Sequence, residues 1–376
     1  MKRSLRLFAL LFVAVLLCAA LAACTDGKET GEVFTAPTGE KYTKQTDGTV
    51  FLTNVPNATA GVYTVPEVYA GARVSGIGDY AFDGCADLTA VVLPESIRTI
   101  GKQAFYGCTS LASVTLPSGL RSVGAYAFGN CEALTAVVIP ASLGTIGDFS
   151  FASCPSLAAV VIPDGVTAIG RYAFADCPAL VSVTVPASVK TIGEYAFRDC
   201  TSLTAVQMQV SPLTGKAALT SLETGAFMGC GALAEIALPD SLSGIGTQVF
   251  RNCTALASVV IPDNVGTVGT SAFADCTSLA SVTLPKQLAH LGNYVFSGCT
   301  SLREITVPSS TLTIGQNAFS GCTRLSSVSF ETADGWFATK RIDNTKGETV
   351  HTDVPATAAT ELRTTYASYY WKRNAD

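Results

Sequence analysis

Histidine is almost missing from this chain: 376 residues hold two, His290 and His351. Chemistry that needs an imidazole as base or metal ligand therefore has little to work with. Charge is scarce as well, at 14% Asp, Glu, Lys and Arg with a net of −5, and the basic residues are not clustered. That omits the electrostatic footprint a phosphate backbone demands, so nucleic acid is not an expected partner. No CxxC pair or Cys/His group occurs, which removes the familiar zinc spacings. GxSxG, the Walker loop and HExxH are missing too, and carboxylates show no recurrent pairing at catalytic spacing. No catalytic residue, metal or cofactor is expected, although a triad is assembled in space and can escape a linear motif.

The first 24 residues, MKRSLRLFALLFVAVLLCAALAAC, form a separate text. A basic start, an apolar run and small residues before Cys24 match an export signal. The final LAAC looks like a bacterial lipoprotein box, in which the Cys24 thiol takes a diacylglyceryl group and becomes the mature N-terminus. A signal cut elsewhere and an uncleaved anchor are the alternatives; each puts the rest of the chain outside the cytoplasm. Two or three acyl chains suffice for stable anchoring, at about 0.8 kcal/mol per buried methylene. The following polar, Gly/Thr-rich stretch reads as a tether.

From residue 74 one sentence is repeated. Cysteines stand at 85, 108, 131, 154, 177, 200, 230, 253, 276, 299 and 322, all 23 apart except the step from 200 to 230. Each has phenylalanine three residues before it and leucine three after, with aliphatic residues at +6 and +8 and usually proline at +9. The unit is roughly IGxxAFxxCxxLxxVxLPxxV. LxxVxLP alternates with period two and reads as a short strand stopped by proline. Glycine at −7 marks a turn, and AFxxC reads as one helical turn. A unit this small cannot close its own core, so eleven coils must stack into a solenoid with parallel strands, about 50 Å long at about 4.8 Å per coil.

The 23-residue period, the Ile-Gly before Ala-Phe, the Gly84-Cys85 type of pair and LxxVxLP resemble the leucine-rich-repeat class, and within it the BspA-like family of bacterial surface proteins. The resemblance covers about residues 74–330; the asparagine of better-known leucine-rich repeats is missing. It implies a mostly β solenoid with short helical turns and capped ends, and a surface role in adhesion, since some members bind matrix proteins such as fibronectin and fibrinogen. The expected layout is 1–23 signal peptide, 24–42 lipidated Cys24 and polar tether, 43–73 N-terminal cap and degenerate repeat, 74–330 solenoid, and 331–376 C-terminal cap and tail. Within that tail, KGETVHTDVPATAATE has the composition of a mobile stretch, and His351 has no identifiable partner.

Eleven cysteines in an exported chain invite disulfides. All occupy one position of the coil, so their Cβ atoms would stand near 4.8 Å and parallel, whereas a disulfide wants about 3.8 Å and convergence. A buried, unbridged ladder of small hydrophobes is the expectation.

Function is left to the positions the period leaves free. The outward strand positions, as in Thr89, Ala90 and Val92, are small and nearly uncharged until Glu235, Arg303 and Glu304. Position −5 carries Tyr80, Tyr126, Phe149, Tyr172, Tyr195 and Tyr294, with four consecutive coils aromatic and Arg171 and Arg198 beside them. That column could stack on sugars or anchor a protein; the bland alternative is that its rings cover the core edge. The third candidate is the broken period, where QVSPLTGKA lengthens one coil by seven residues and puts Glu223 where glycine is expected. The expected partner is an extracellular protein or a glycan, with membrane attachment through the N-terminal lipid only. The expectation is a lipid-anchored binding and adhesion scaffold; a carbohydrate-capturing lipoprotein and a passive envelope spacer are the alternatives.

Overall fold

A computed structural model describes residues 29–374; the expected signal peptide and Cys24 lie outside the described residues. The repeat forms a solenoid with two parallel ladders. On one side, Leu88–Val92, Ser113–Val114, Ala136–Val138, Ala159–Val161, Ser182–Val185 and Ala205–Met208 pair coil on coil. Their register is 23 residues, with Val137 opposite Val160 and Val183 opposite Val206. Each strand turns its +6 aliphatic residue into the core, as Val91 does, and leaves +7 outside, as Val92 does. On the other side, two-residue strands from Thr145–Ile146 to Thr313–Ile314 make the second ladder.

The segment joining the ladders is not a helical turn, contrary to the expectation from AFxxC. Positions −5 and −1 take positive φ in every coil, for example Tyr172 at 51° and Asp176 at 56°. This alternation aims every second amide along the solenoid axis. Tyr172, Phe174 and Asp176 donate their N–H groups to the carbonyls of Glu194, Ala196 and Arg198 in the next coil, each at 2.8 Å. A helix would turn those donors back into its own turn and leave the neighbouring coil unbonded. The glycine at −7 serves close approach rather than a turn: a Cβ on Gly101 would stand 2.5 Å from the Asp79 nitrogen of the preceding coil.

Inside runs a spine. Eleven phenylalanines, Phe82 to Phe319, are fully buried and stack with centroids 4.7–5.7 Å apart. The eleven cysteines beside them are buried and unbridged. They do more than fill space. From Cys108 to Cys322 each thiol donates to the carbonyl of the preceding coil's phenylalanine at 3.1–3.2 Å, as Cys177 does to Phe151. Burial pushes these thiols up, to about 12 for Cys154 and Cys276.

Both ends are closed by antiparallel strands. At the start, β1 (Glu29–Thr35), β2 (Lys41–Gln45) and β3 (Val50–Asn54) form a meander, and β3 pairs in parallel with the strand Ala72–Ile77. Residues 29–42, read as tether, are thus β1 and the start of the cap. Their polar composition reflects a strand edge exposed to water, with only part of each strand, such as Tyr42, turned onto the core. At the far end, Trp336–Thr339 and Glu348–Thr349 join Tyr370–Arg373, which pairs with Thr313–Ile314 and seats the fully buried Trp371. The stretch read as mobile ends in the helix Pro355–Thr360, which continues into the π-helical turn Glu361–Thr365. His351 has a partner after all: its Nδ1 lies 2.6 Å from Oε1 of Glu361, a hydrogen bond that raises the imidazole pKa.

Two outcomes follow from the spine. Phe174→Ala should lower stability by about 3–5 kcal/mol, read from urea unfolding, because a mid-stack ring leaves a cavity between two fixed neighbours. Folded thiols stay protonated while unfolded ones ionise near their ordinary 9.0, so unfolding releases protons above that pH. Stability should therefore fall as pH rises from about 9 towards 12, and replacing Cys177 and Cys200 by alanine should flatten that fall.

Candidate functional site

The aromatic positions are brought together by backbone geometry. Left-handed φ at −5, near 55° in Tyr126, Phe149, Tyr172 and Tyr195, swings each side chain clear of the core. A tyrosine pays about 1–2 kcal/mol for that conformation. Stacking on the rings above and below offsets it: centroids lie 4.3, 4.7 and 4.8 Å apart along the four. Their interior faces cover one another, so the half-buried column presents mainly ring edges to water.

The column extends one residue beyond the sequence reading, for Tyr106 at −2 meets Tyr126 edge-on at 6.2 Å. The period itself held that signal, since −2 of one coil adjoins −5 of the next. At the other end Gly225 stops the series; a Cβ there would run into the Tyr195 ring. Tyr80 and Tyr294 do not join it. Each is 45% exposed, with non-aromatic residues at −5 in the neighbouring coil or coils.

Cations flank the rings. The Arg171 guanidinium sits 5.1 Å from the Tyr172 centroid and 6.0 Å from Phe149, and pairs with Glu194 at 3.3 Å. Arg198 pairs with Asp199 at 2.8 Å. Burial pushes the Asp176 carboxyl up, and the nearby Arg198 partly opposes it. These are exposed or half-exposed pairs of small energetic weight, so they orient the guanidinium groups more than they stabilise the fold.

Two further surfaces carry no such anchors. The sheet face shows exposed valines, including Val92, Val138 and Val161, among alanines and hydroxyls. On the second ladder His290 stands exposed in the threonine column, with Nδ1 2.8 Å from the Thr313 hydroxyl. Among the described residues no group of three or more His, Cys, Asp or Glu side chains is placed to hold a metal ion. No described helix is long and apolar enough to cross a membrane. The third candidate, the insertion, opens a cleft in the sheet face of about 710 Å3.

The geometry at −5 makes a sharp prediction. Tyr172→Ala keeps the strained φ and loses the stacking, whereas Tyr172→Gly loses the stacking and relieves the strain. The glycine variant should be the more stable of the two by about 1 kcal/mol in urea unfolding, the reverse of the usual order.

Comparison with known proteins agrees with this architecture. The sequence profile of the BspA-type leucine-rich repeat region matches residues 75–204 and 219–336 in six copies, and its interruption coincides with the insertion. A leucine-rich repeat protein from Bacteroides ovatus is 29% identical, with 79% of this chain and 88% of that one covered and a TM-score of 0.56. The pneumococcal vaccine antigen PcpA shares the fold at 21% identity, covering 82% and 84% with a TM-score of 0.59. A leucine-rich cell surface protein of Faecalibacterium prausnitzii is 29% identical over 81% and 96%, with a TM-score of 0.49. No curated protein sequence is significantly similar. With two thirds of its length matched and every coil built on the same Phe, Cys and Leu spine, the chain belongs to the BspA-type leucine-rich-repeat family.

Proposed function

We propose that this chain is a non-catalytic binding scaffold outside the cytoplasm, held to a membrane by a lipid on Cys24, that recognises an extracellular protein of a host matrix or a neighbouring cell. The observation that carries the reading is the column from Tyr106 to Tyr195 with Arg171 and Arg198 at its side. Tyrosine and arginine are enriched at the energetic centres of protein interfaces, and tyrosine combines apolar area with a polar tip at low entropic cost. Stacking has already fixed these rings, so little conformational freedom remains to be lost on binding. Its edge-on presentation favours a protein over a sugar, which stacks on open ring faces. A glycan reading draws support instead from Tyr294, exposed and without aromatic neighbours in the column.

The soluble chain, residues 25–376, applied to an array of matrix proteins and glycans should bind a protein saturably. A variant with Tyr126, Phe149, Tyr172 and Tyr195 changed to serine, shown folded by circular dichroism, should bind at least tenfold more weakly. Undiminished binding by the variant would remove the column from the site. Silence from both proteins would leave a passive spacer.

A further inference from the structure

The long coil between Cys200 and Cys230 breaks only one side of the solenoid. Ala205–Met208 pairs in register with Ser182–Val185, and among the described residues no strand pairs with its other edge. Between most consecutive coils a backbone bond at +4 links the two, as from Thr204 to Val181 and from Ala257 to Ala234. The equivalent bond from Ala234 to Thr204 is missing, and among the described residues no backbone bond ties residues 232–239 to 204–209. A short strand edge is thus left without a partner. The ladder is also unpaired between Ser281–Thr283 and Glu304–Val307, but there the +8 residues Leu284 and Val307 stay buried.

The core registers the same opening. Position +8 is buried in eight of the ten coils from Leu93 to Val307; the two exceptions are Met208 and Leu238, which face each other across the break. They floor a cleft of about 710 Å3 with the buried Ile236 and Val259 beneath and the exposed Gln207 and Val260 at its walls. A second cleft of about 700 Å3 continues under the inserted loop, sharing Leu238 and Asp240, and has Lys216 on its wall.

Charge distinguishes the slot from the face around it. Glu235 and Asp240 are the charged side chains lining the larger cleft; both are exposed and neither makes an ion pair. We propose that this break is a docking slot for an extended segment of a partner protein bearing a lysine or arginine. The segment adds a strand along Ala205–Met208, lays its apolar side chains on Met208 and Leu238, and turns its cation to Glu235 and Asp240. Four residues of strand edge span roughly 13 Å, enough to fix the register of a short peptide by main-chain bonds. The proposal rests on the binding-scaffold reading but names a site separate from the aromatic column.

The probe is a fluorescein-labelled hexapeptide, Thr-Val-Lys-Val-Thr-Val, titrated with residues 25–376 and followed by anisotropy. Two control peptides replace its lysine by glutamate or carry N-methyl groups on alternate backbone amides. Saturable binding is expected, at least tenfold weaker for either control. Glu235→Lys combined with Asp240→Lys should invert the preference between the lysine and glutamate peptides. Deleting residues 210–216, which restores the 23-residue period, should abolish binding; the charge-reversed protein carries the test alone if that deletion misfolds. Equal binding of the N-methylated peptide, indifference to charge reversal, or no binding would overturn the slot. Sedimentation that showed dimers lost on deletion would also overturn it, by making a second copy the occupant. Array binding that persists while the probe fails would refute the slot and leave the scaffold reading standing; a silent array with the expected probe profile would do the reverse.

Discussion

Each coil offers three amides to the coil that follows, and the structure depends on that offer being met at the same places every turn. The donors at −5, −3 and −1 can all point along the axis only because −5 and −1 accept left-handed backbone. Once they do, phenylalanine stacks on phenylalanine and each thiol reaches the carbonyl behind it. The step from coil 200 to coil 230 shows which part is indispensable. There the seven-residue insertion dissolves the sheet ladder, yet Tyr195, Phe197 and Asp199 still donate to Thr224, Ala226 and Met228 at 2.8–2.9 Å. Phe197 and Phe227 remain stacked at 5.4 Å, and Cys230 still donates to Phe197 at 3.1 Å. The turn and its spine carry the continuity of the solenoid, while the sheet can open.

What the sequence made legible follows the same division. Residues whose side chains meet their own copies, Phe82, Cys85, Leu88 and Val91 and their repeats, announce themselves by identity, because a mismatch in a close-packed stack is costly. Position −1 was readable in part: Gly84, Asn130 and Asp176 are residue types that tolerate left-handed φ, whereas Ser153 is not. Position −5 was not, because tyrosine normally argues against that conformation. Only the stack of rings above and below makes Tyr172 at φ 51° acceptable, and a stack is a property of several coils rather than of one. The helical reading of AFxxC failed for that reason.

The ends were the least legible, for a related cause. A cap has no copy of itself to be compared with, so its pattern is read from composition alone. Glu29–Thr35 looked like tether because a strand turned largely to water, as residues 31–35 of it are, has a tether's composition. His351 looked solitary because Glu361 reaches it through a fold that brings the two together across ten residues of chain.

A structure bonded this way concentrates functional freedom in two kinds of place. Outward positions cost little to vary, since each is fixed by its own coil and touches only its neighbours, the nearest-neighbour behaviour of stacked repeats. Aromatics at −5 exploit that freedom and repay their strain by stacking. An insertion is a larger departure, and it can be placed only where the spine does not need the backbone, which is the sheet side. The cost appears locally as two half-exposed side chains, Met208 and Leu238, and an unpaired strand edge. A chain that lengthens one coil by seven residues has put two adjoining clefts, of about 710 and 700 Å3, at a point where its own sheet hydrogen bonding is incomplete and its +8 side chains are uncovered.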